Sequence, residues 1–163
     1  DSHCLDLVAE SKRLVVTRTF SKAFGLAGLR IGYAVAPATL AREIEKSRGP
    51  YKVSGPGAQA AIAALTDDRQ WVDERIMEAR AARAELTREL RRRGLNPLSS
   101  QSNFVLAPVT RAAVVSAGLR ERGVAVRPFP ELRGIGDAIR ITVGPRQMME
   151  RFLTALDEVL QCE

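Results

Sequence analysis

The chain has 163 residues, and its 45% hydrophobic content is enough to build a packed core. No apolar run approaches the ~20 residues that a membrane-spanning helix needs, and no signal peptide opens the sequence. Two cysteines without an export signal are typical of a reducing compartment, so we expect a cytoplasmic protein with no membrane association. The net charge of +6 would suit nucleic acid, but only four of the 25 basic residues are lysines. An arginine excess of this kind is typical of genome composition, and we expect no nucleic-acid partner.

The scarcity of cysteine and histidine excludes the common metal sites. Cys4 and Cys162 lie at opposite ends of the chain, and His3 is the only histidine. These residues have no spacing that suits zinc, so we expect no metal ion. Any chemistry must therefore depend on lysine, arginine, serine, threonine or a bound cofactor.

The first part of the sequence predicts two strands followed by two helices. These elements are buried strands over 14–17 and 31–36 and helices over 38–46 and 57–65. A glycine-containing turn from Thr19 to Arg30 joins the strands. Pro37 predicts the start of the first helix, because its fixed φ suits the first helical position. The second helix is rich in alanine, and we expect it to be buried on more than one side.

A long helix is predicted next, from Asp68 to Arg93. The apolar residues that recur at steps of three and four and form one face of it are Val72, Ile76, Ala79, Ala82, Leu86 and Leu90. Three arginines followed by Gly94 suit the end of a helix, because cations favour its negative pole and glycine favours the cap.

The rest of the chain predicts a small α+β unit. Its elements are strands over 104–107, 124–126 and 139–143, a helix over 111–121 and a last helix from Pro145 onward. The chain is therefore expected to divide into three parts, which are a first region (1–67), a connecting helix (68–93) and a small C-terminal domain (94–163).

The most informative segment extends from Thr19 to Tyr33 and surrounds Lys22. Apolar residues on both sides of Lys22 would desolvate its amine and lower its pKa, which is typical of a lysine that attacks a carbonyl. The hydroxyls of Thr19 and Ser21 and the guanidinium of Arg30 together suit a phosphate dianion. A reactive lysine beside an anchored phosphate matches pyridoxal 5'-phosphate, an aldehyde that carries a phosphate.

Ser21-Lys22, with Arg30 eight residues after the lysine, lies within Thr-Phe-Ser-Lys-Ala-Phe-Gly-Leu-Ala-Gly-Leu-Arg-Ile-Gly-Tyr. This stretch closely resembles the cofactor-lysine segment of the fold type I aminotransferases, and within them it is most similar to the histidinol-phosphate aminotransferases. The resemblance implies an α/β fold: the end of the large-domain sheet (1–67), a connecting helix and an α+β small domain. It also implies pyridoxal 5'-phosphate as cofactor, with Thr19, Ser21 and Arg30 at its phosphate and Lys22 as the catalytic lysine.

Two further arginines lie in segments that resemble the small domain of the same family. The segment from Asn103 to Leu106 resembles the opening strand of that domain, and the segments around Arg127 and Arg140 resemble its substrate-binding region. In the family pattern, Arg140 matches the arginine that pairs with the substrate α-carboxylate, and Arg127 matches one directed at the substrate phosphate. Guanidinium geometry suits both anions, and an unpaired charge among the apolar residues of a strand would be costly.

The resemblance implies transamination of histidinol phosphate with glutamate and 2-oxoglutarate, a step of histidine biosynthesis, by a homodimer. Lys22 would bond the cofactor aldehyde, give it up to the substrate amine and then act as the base. Chains of this family are longer, and their upstream part supplies further cofactor contacts. We therefore expect this chain to be a C-terminal fragment with little or no transaminase activity of its own. The strand at 13–17 is expected to have an unpaired edge.

Other functions stay open at this point. Threonine-phosphate decarboxylase and other class I and II aminotransferases share these features, and a single arginine does not separate their substrates. A different class is a transcription regulator that carries an aminotransferase-like domain without catalysis. A free-standing nucleic-acid module would need cations and aromatic residues on one surface, and only 5% of the residues are aromatic.

Overall fold

The computed structural model describes residues 4–161 and divides into two compact units. The first unit extends through Arg75 and the second begins at Ile76. The division into domains at residues 67 and 93 stays a prediction. Among residues 4–161 we find no helix with the length and apolarity that a bilayer crossing requires. His3 and Cys162 lie outside the described residues.

The first unit contains a β-hairpin and a series of helices. Its elements are α1 (Asp6–Glu10), β1 (Val16–Thr19), β2 (Gly32–Val35), α2 (Ala38–Lys46), α3 (Gly55–Thr66) and the beginning of α4 (Arg69–Arg92). The strands pair antiparallel, with Thr19 opposite Gly32 at the end nearest the connecting loop. The predicted helix after Pro37 is confirmed as α2. Ser54 caps α3, since its Oγ accepts the Gly57 N–H at 3.1 Å.

The burial expected for both strands and for α3 is wrong for this unit. All four residues of β2 are exposed, and in α3 only three residues are buried while Ile62 and Leu65 are about half exposed. β1 is also exposed except at Val16, and β1 and β2 pair with each other alone in the described part of the chain, so little packs on the faces of this hairpin. The open edge expected for β1 is confirmed among the described residues, and apolar side chains of β2 such as Tyr33 and Val35 are exposed.

The second unit is a three-stranded antiparallel sheet with helices packed on one face. Its elements after α4 are β3 (Phe104–Pro108), α5 (Ala112–Glu121), β4 (Arg127–Leu132), β5 (Gly136–Thr142) and α6 (Arg146–Gln161). The strand order is β3-β5-β4, so β5 is central. The alternate strand residues that enter the core are Val105, Ala107, Ile139 and Ile141. They pack with buried residues of α4, α5 and α6, which include Leu86, Leu90, Val115, Leu119, Phe152 and Leu156. Each large buried side chain contributes roughly 1.5–3 kcal/mol.

β4 does not lie where the sequence predicts a strand. Residues 124–126 are irregular, and the strand begins at Arg127. Pro128 and Pro130 disfavour a strand in the sequence pattern, because proline cannot donate a ladder hydrogen bond. β4 tolerates both prolines because it is an edge strand, and its pairing with β5 is irregular after Phe129. The other predicted elements of this unit are confirmed with bounds shifted by a few residues.

A charged cluster holds the end of α4. Arg93 donates to the carboxylate of Asp157 in α6 at 2.6 and 2.8 Å and to Glu89 at 2.9 Å. The hydrogen bonds from Arg93 lower the pKa of both carboxyls. Gly94 follows with φ 78°, a conformation that glycine accepts readily. The predicted helix end is therefore confirmed, and Arg93 has a structural role.

Candidate functional site

The connection between β1 and β2 forms a compact loop that carries Lys22. The Phe20 N–H donates to the Ile31 carbonyl at 3.2 Å and extends the hairpin beyond the two strands. Within the loop, the Gly25 N–H donates to the Lys22 carbonyl at 2.9 Å and closes a tight turn. Gly25 has φ 70°, a left-handed conformation that other residues disfavour, so the turn favours glycine here.

The environment of Lys22 differs from the expected one. Lys22 is exposed, whereas Phe20 is only 4% exposed and its ring centroid lies 4.7 Å from that of Phe24. The prediction that apolar neighbours desolvate Lys22 is therefore wrong for this chain, because Phe20 occupies the buried position instead. No residue of 4–161 forms an ion pair or hydrogen bond with the Lys22 amine, which is therefore accessible.

Ser21 and Arg30 lie near opposite ends of this loop and approach each other. The Nη1 of Arg30 lies 3.5 Å from Ser21 Oγ and donates to the Ala27 carbonyl at 2.9 Å. Thr19 Oγ1 accepts the Ser21 N–H at 3.1 Å, which leaves the Thr19 hydroxyl hydrogen free to donate. The fold thus places the Arg30 guanidinium next to the hydroxyl of Ser21, the residue that precedes Lys22. The hydroxyl of Thr19 lies at the end of β1.

Arg30 has an unusual backbone conformation next to the start of α3. It follows a short 3-10 helix (Ala27–Leu29) and has φ 51°, which is uncommon for a residue with a side chain. Gly57 of α3 is buried, and a Cβ atom there would lie 3.6 Å from the Leu29 carbonyl oxygen and 2.8 Å from Ser54 Oγ. The segment before Arg30 therefore packs closely against the first turn of α3, which supports the Arg30 backbone.

A second cluster of predicted site residues lies in the second unit. Arg127 of β4 and Arg140 of β5 are opposite each other in the strand register, so their side chains share one face of the sheet. Leu106 of β3 lies opposite Arg140 on its other side. Because residues alternate between faces along a strand, this face is opposite the one that enters the core. The two substrate arginines that the sequence predicts are therefore adjacent in space.

An aromatic ring contacts each of these guanidiniums. Arg140 Cζ lies 5.2 Å from the centroid of the Phe104 ring, and Arg127 Cζ lies 5.2 Å from the centroid of the Phe129 ring. Neither guanidinium forms an ion pair or hydrogen bond with any other residue that the structure describes. The Nε of Arg140 is buried and has no hydrogen-bond partner there. Opposed like charges are destabilising, so this arrangement is typical of a site that binds an anion.

Sequence reasoning assigned no separate role to Phe104 or Phe129. A signal for Phe129 was present, because it lies two residues after Arg127 and a strand places such residues on one face. No comparable signal identifies Phe104, because its proximity to Arg140 depends on the pairing of β3 with β5.

Asp137 is a further residue that the sequence did not identify. Its carboxylate accepts the Glu131 N–H at 3.0 Å and the Ala112 N–H at 2.9 Å. These two hydrogen bonds, first the one from Glu131, lower the pKa of the Asp137 carboxyl. Asp137 therefore connects the β4-β5 hairpin, which carries both arginines of the pair, to the first residue of α5.

A groove of about 690 Å³ on the second unit is lined by four arginines, which are Arg83, Arg88, Arg91 and Arg92. Two of these four guanidiniums have their charge paired with an acid. Arg83 donates to a backbone carbonyl, while Arg88 and Arg92 pair with glutamates of the same helix. Unlike the Arg127 and Arg140 pair, the groove therefore has part of its charge neutralised by glutamates of its own helix.

The family model described as "Aminotransferase class I and II" matches residues 2–156. Histidinol-phosphate aminotransferase 1 of Archaeoglobus fulgidus is 41% identical over 155 residues, which cover 94% of this chain and 47% of that protein. The chain spans about half the length of the curated relatives it matches.

Two solved structures share the fold of the chain. One is histidinol-phosphate aminotransferase from Sinorhizobium meliloti in complex with pyridoxal-5'-phosphate, with a TM-score of 0.84 and 31% identity. That match covers 97% of this chain and 44% of the other. The second is L-threonine-O-3-phosphate decarboxylase from Porphyromonas gingivalis, with a TM-score of 0.73 and 25% identity, covering 96% of this chain and 50% of that one.

Proposed function

Because the chain belongs to the class I and II aminotransferase family, we propose that it carries the cofactor lysine and the substrate arginines of a pyridoxal-phosphate-dependent aminotransferase. The predicted family and the predicted fold type I α/β fold are confirmed by the same matches. Since the chain spans about half the length of its relatives, the activity is proposed for the protein that contains it.

The residues of the β1-β2 loop fit pyridoxal 5'-phosphate. Ser21 and Arg30, whose side chains lie 3.5 Å apart, would hold its phosphate, and the hydroxyl hydrogen of Thr19 would add a donor. Lys22 follows Ser21 directly, and its exposed amine would bond the aldehyde. When bound, the cofactor supplies an electron sink for the pair of electrons left at the substrate Cα.

Lys22 has two tasks in this proposal. Its amine holds the cofactor before the substrate arrives, and after the substrate amine displaces it, it takes the proton from the substrate Cα. The nearby Arg30 cannot act as this base, because a guanidinium stays protonated. Lys22 is therefore the group of this loop to which we assign the proton transfer.

The opposed pair of Arg127 and Arg140 is the observation that carries the proposed substrate class. Two guanidiniums on one face suit a phosphate dianion or a carboxylate, which they bind through charge-assisted hydrogen bonds. Histidinol phosphate and glutamate each carry such an anion in addition to the reacting amine. Transamination of histidinol phosphate with 2-oxoglutarate is therefore the reaction we propose, and the 41% identity to the Archaeoglobus fulgidus relative supports it.

A transamination assay on the protein that contains this chain tests the proposal. With histidinol phosphate and 2-oxoglutarate we expect glutamate, and a fall of about 10²–10⁴-fold in turnover for Lys22→Ala. Lys12→Ala, which removes another exposed lysine, is the matched control and is expected to retain turnover. Full turnover in Lys22→Ala would contradict the role of Lys22, and no glutamate from the wild type would contradict the proposed reaction.

Decarboxylation of threonine phosphate is a second candidate, favoured by the solved decarboxylase that matches 96% of this chain. Its substrate carries a carboxylate and a phosphate, and the arginine pair offers one guanidinium for each anion. Release of carbon dioxide from threonine phosphate, without glutamate formation in the first assay, would identify this reaction instead.

We further propose that the whole protein is a cytoplasmic homodimer. Exposed apolar side chains of the first unit, such as Ile62, Leu65 and Trp71, support their burial in a larger assembly. Sedimentation of the protein that contains this chain is expected to give twice the mass of one chain, and a monomer at all concentrations would contradict the proposal.

A further inference from the structure

Phe104, Arg140, Arg127 and Phe129 lie on one face of the sheet in the second unit. Phe104 is opposite Thr142, two residues from Arg140, so its ring and the Arg140 guanidinium are diagonal neighbours across β3 and β5. Phe129 is two residues after Arg127 on β4, and strand alternation places both side chains on the same face. The four side chains therefore form a row with two opposed guanidiniums in the middle and one ring at each end.

The rings are the partners of these guanidiniums among residues 4–161. Each Cζ lies 5.2 Å from a ring centroid, and neither Arg127 nor Arg140 forms an ion pair or hydrogen bond with a described residue. Arg93 of the same unit is held in a different way, because its guanidinium binds the carboxylates of Asp157 and Glu89. The arginine pair differs from Arg93 in having aromatic rings where Arg93 has acids.

A ring and a carboxylate hold a guanidinium in different ways. A carboxylate accepts from the N–H groups at the edge of the guanidinium plane, so it occupies the donors that would bind a substrate. An aromatic ring attracts the cation through its face and accepts no N–H at the edge. A guanidinium held by a ring therefore keeps its edge N–H groups for an incoming anion, and neither Arg127 nor Arg140 uses one of them on another described residue.

We propose that Phe104 and Phe129 are positioning residues that hold Arg140 and Arg127 by their rings and leave the guanidinium edges open to substrate anions. This inference rests on the proposed function, because binding of substrate anions is the reason why two unpaired like charges persist in one row. The rings restrict the guanidiniums before the anion arrives, so less side-chain freedom is lost on binding. Replacing a ring with an aliphatic side chain should therefore weaken anion binding while the charge of the site is unchanged.

The test uses the 163-residue chain and inorganic phosphate as the probe. The arginine Nε–H signals are followed by NMR during a phosphate titration, and folding is checked by circular dichroism. We expect Phe104→Leu and Phe129→Leu to weaken phosphate binding by about two- to fivefold each, the effect expected from losing a cation–π contact. The matched controls Phe104→Tyr and Phe129→Tyr keep a ring and are expected to bind phosphate like the wild type. Phe104→Met replaces Phe104→Leu if the latter does not fold.

The outcomes separate this inference from the proposed function. If Arg127→Gln and Arg140→Gln lose phosphate binding while the leucine variants bind like the wild type, the role of the rings is wrong and the arginine site stands. Equal weakening in the leucine and tyrosine variants would also overturn it, because shape rather than the ring would then matter. If the wild type shows no phosphate shift at either arginine, the anion site and this inference both fail.

Discussion

Arg127 and Arg140 lie opposite each other on two neighbouring antiparallel strands, and no acidic residue of 4–161 pairs with either of them. Opposed like charges repel, so this pair opposes the pairing of β4 with β5. On its other face β5 carries Ile139 and Ile141, which are almost fully buried in the core. Core packing therefore holds the two guanidiniums together on the face that we propose binds the substrate anion.

Arg127→Gln is expected to stabilise the chain in a buffer that contains no phosphate or carboxylate. Loss of one of two opposed like charges should raise the free energy of unfolding by about 0.2–1 kcal/mol, and loss of the Arg127 contact with the Phe129 ring offsets part of this gain. Added phosphate should reduce this difference, because an anion that binds only the folded wild type stabilises it. Urea unfolding in chloride and in phosphate measures both effects. Arg133→Gln removes an exposed arginine from the turn after β4 and is the control. It should show neither the gain in stability in chloride nor the reduction of that gain by phosphate. The same changes in unfolding free energy for both variants would contradict the prediction.

Asp137→Asn is expected to reduce the loss of stability at acid pH. Hydrogen bonds from the Glu131 and Ala112 backbone lower the pKa of Asp137 in the folded chain. A lowered folded pKa gives stabilisation that is present above the unfolded pKa of about 3.9 and is lost as pH falls through the folded pKa. Urea unfolding from neutral pH to below about pH 3 measures this change.

The control for Asp137→Asn is Glu121→Gln, which alters an exposed acid at the end of α5. It should leave the pH profile of stability as in the wild type. An unchanged profile in Asp137→Asn would show that the two hydrogen bonds contribute nothing that depends on pH.

Gly25→Ala is expected to destabilise the loop that carries Lys22. Gly25 has φ 70°, and alanine in this conformation costs about 1–2 kcal/mol. A Cβ atom at Gly25 would lie 3.7 Å from the Trp71 ring, so Trp71 fluorescence reports on the loop directly. Gly28→Ala is the matched control, because a Cβ atom at Gly28 would have no neighbour within 4 Å and the φ of Gly28 is not positive. Equal unfolding midpoints for the two variants would contradict the strained turn.

Leu156→Ala is expected to cost about 2–5 kcal/mol of stability, because Leu156 is fully buried in the core between the helices and the sheet. Val114→Ala, at a position of α5 that is 51% exposed, should cost much less. Denaturant unfolding of both variants gives the comparison, and similar losses would show that the core lies elsewhere.

Local signals in the sequence were sufficient to predict most of the helices. The apolar steps from Val72 to Leu90 and the glycine after Arg93 predict α4 nearly to its observed ends, because helix periodicity and capping depend on nearby residues. The resemblance of the segment around Lys22 placed Ser21 and Arg30 in one site, and the structure brings their side chains together.

Features that depend on distant residues were not predictable in the same way. The prolines in β4 argue against a strand in the sequence. They are tolerated because β4 lies at the edge of the sheet, which the sequence does not reveal. The burial of β2 and Lys22 was overestimated, because sequence pattern does not reveal which elements cover a strand. The contacts of Asp137 with Ala112 and of Phe104 with Arg140 require the folded topology.

We propose that Lys22 is the lysine that bonds the cofactor, and covalent labelling identifies that lysine. The protein that contains this chain is loaded with pyridoxal 5'-phosphate, reduced with borohydride, digested and examined by mass spectrometry. We expect a stoichiometric phosphopyridoxyl group on Lys22 and none on Lys12, Lys46 or Lys52, with the label lost in Lys22→Ala. Stoichiometric label on a different lysine, or no label on Lys22 in a protein that transaminates, would contradict it.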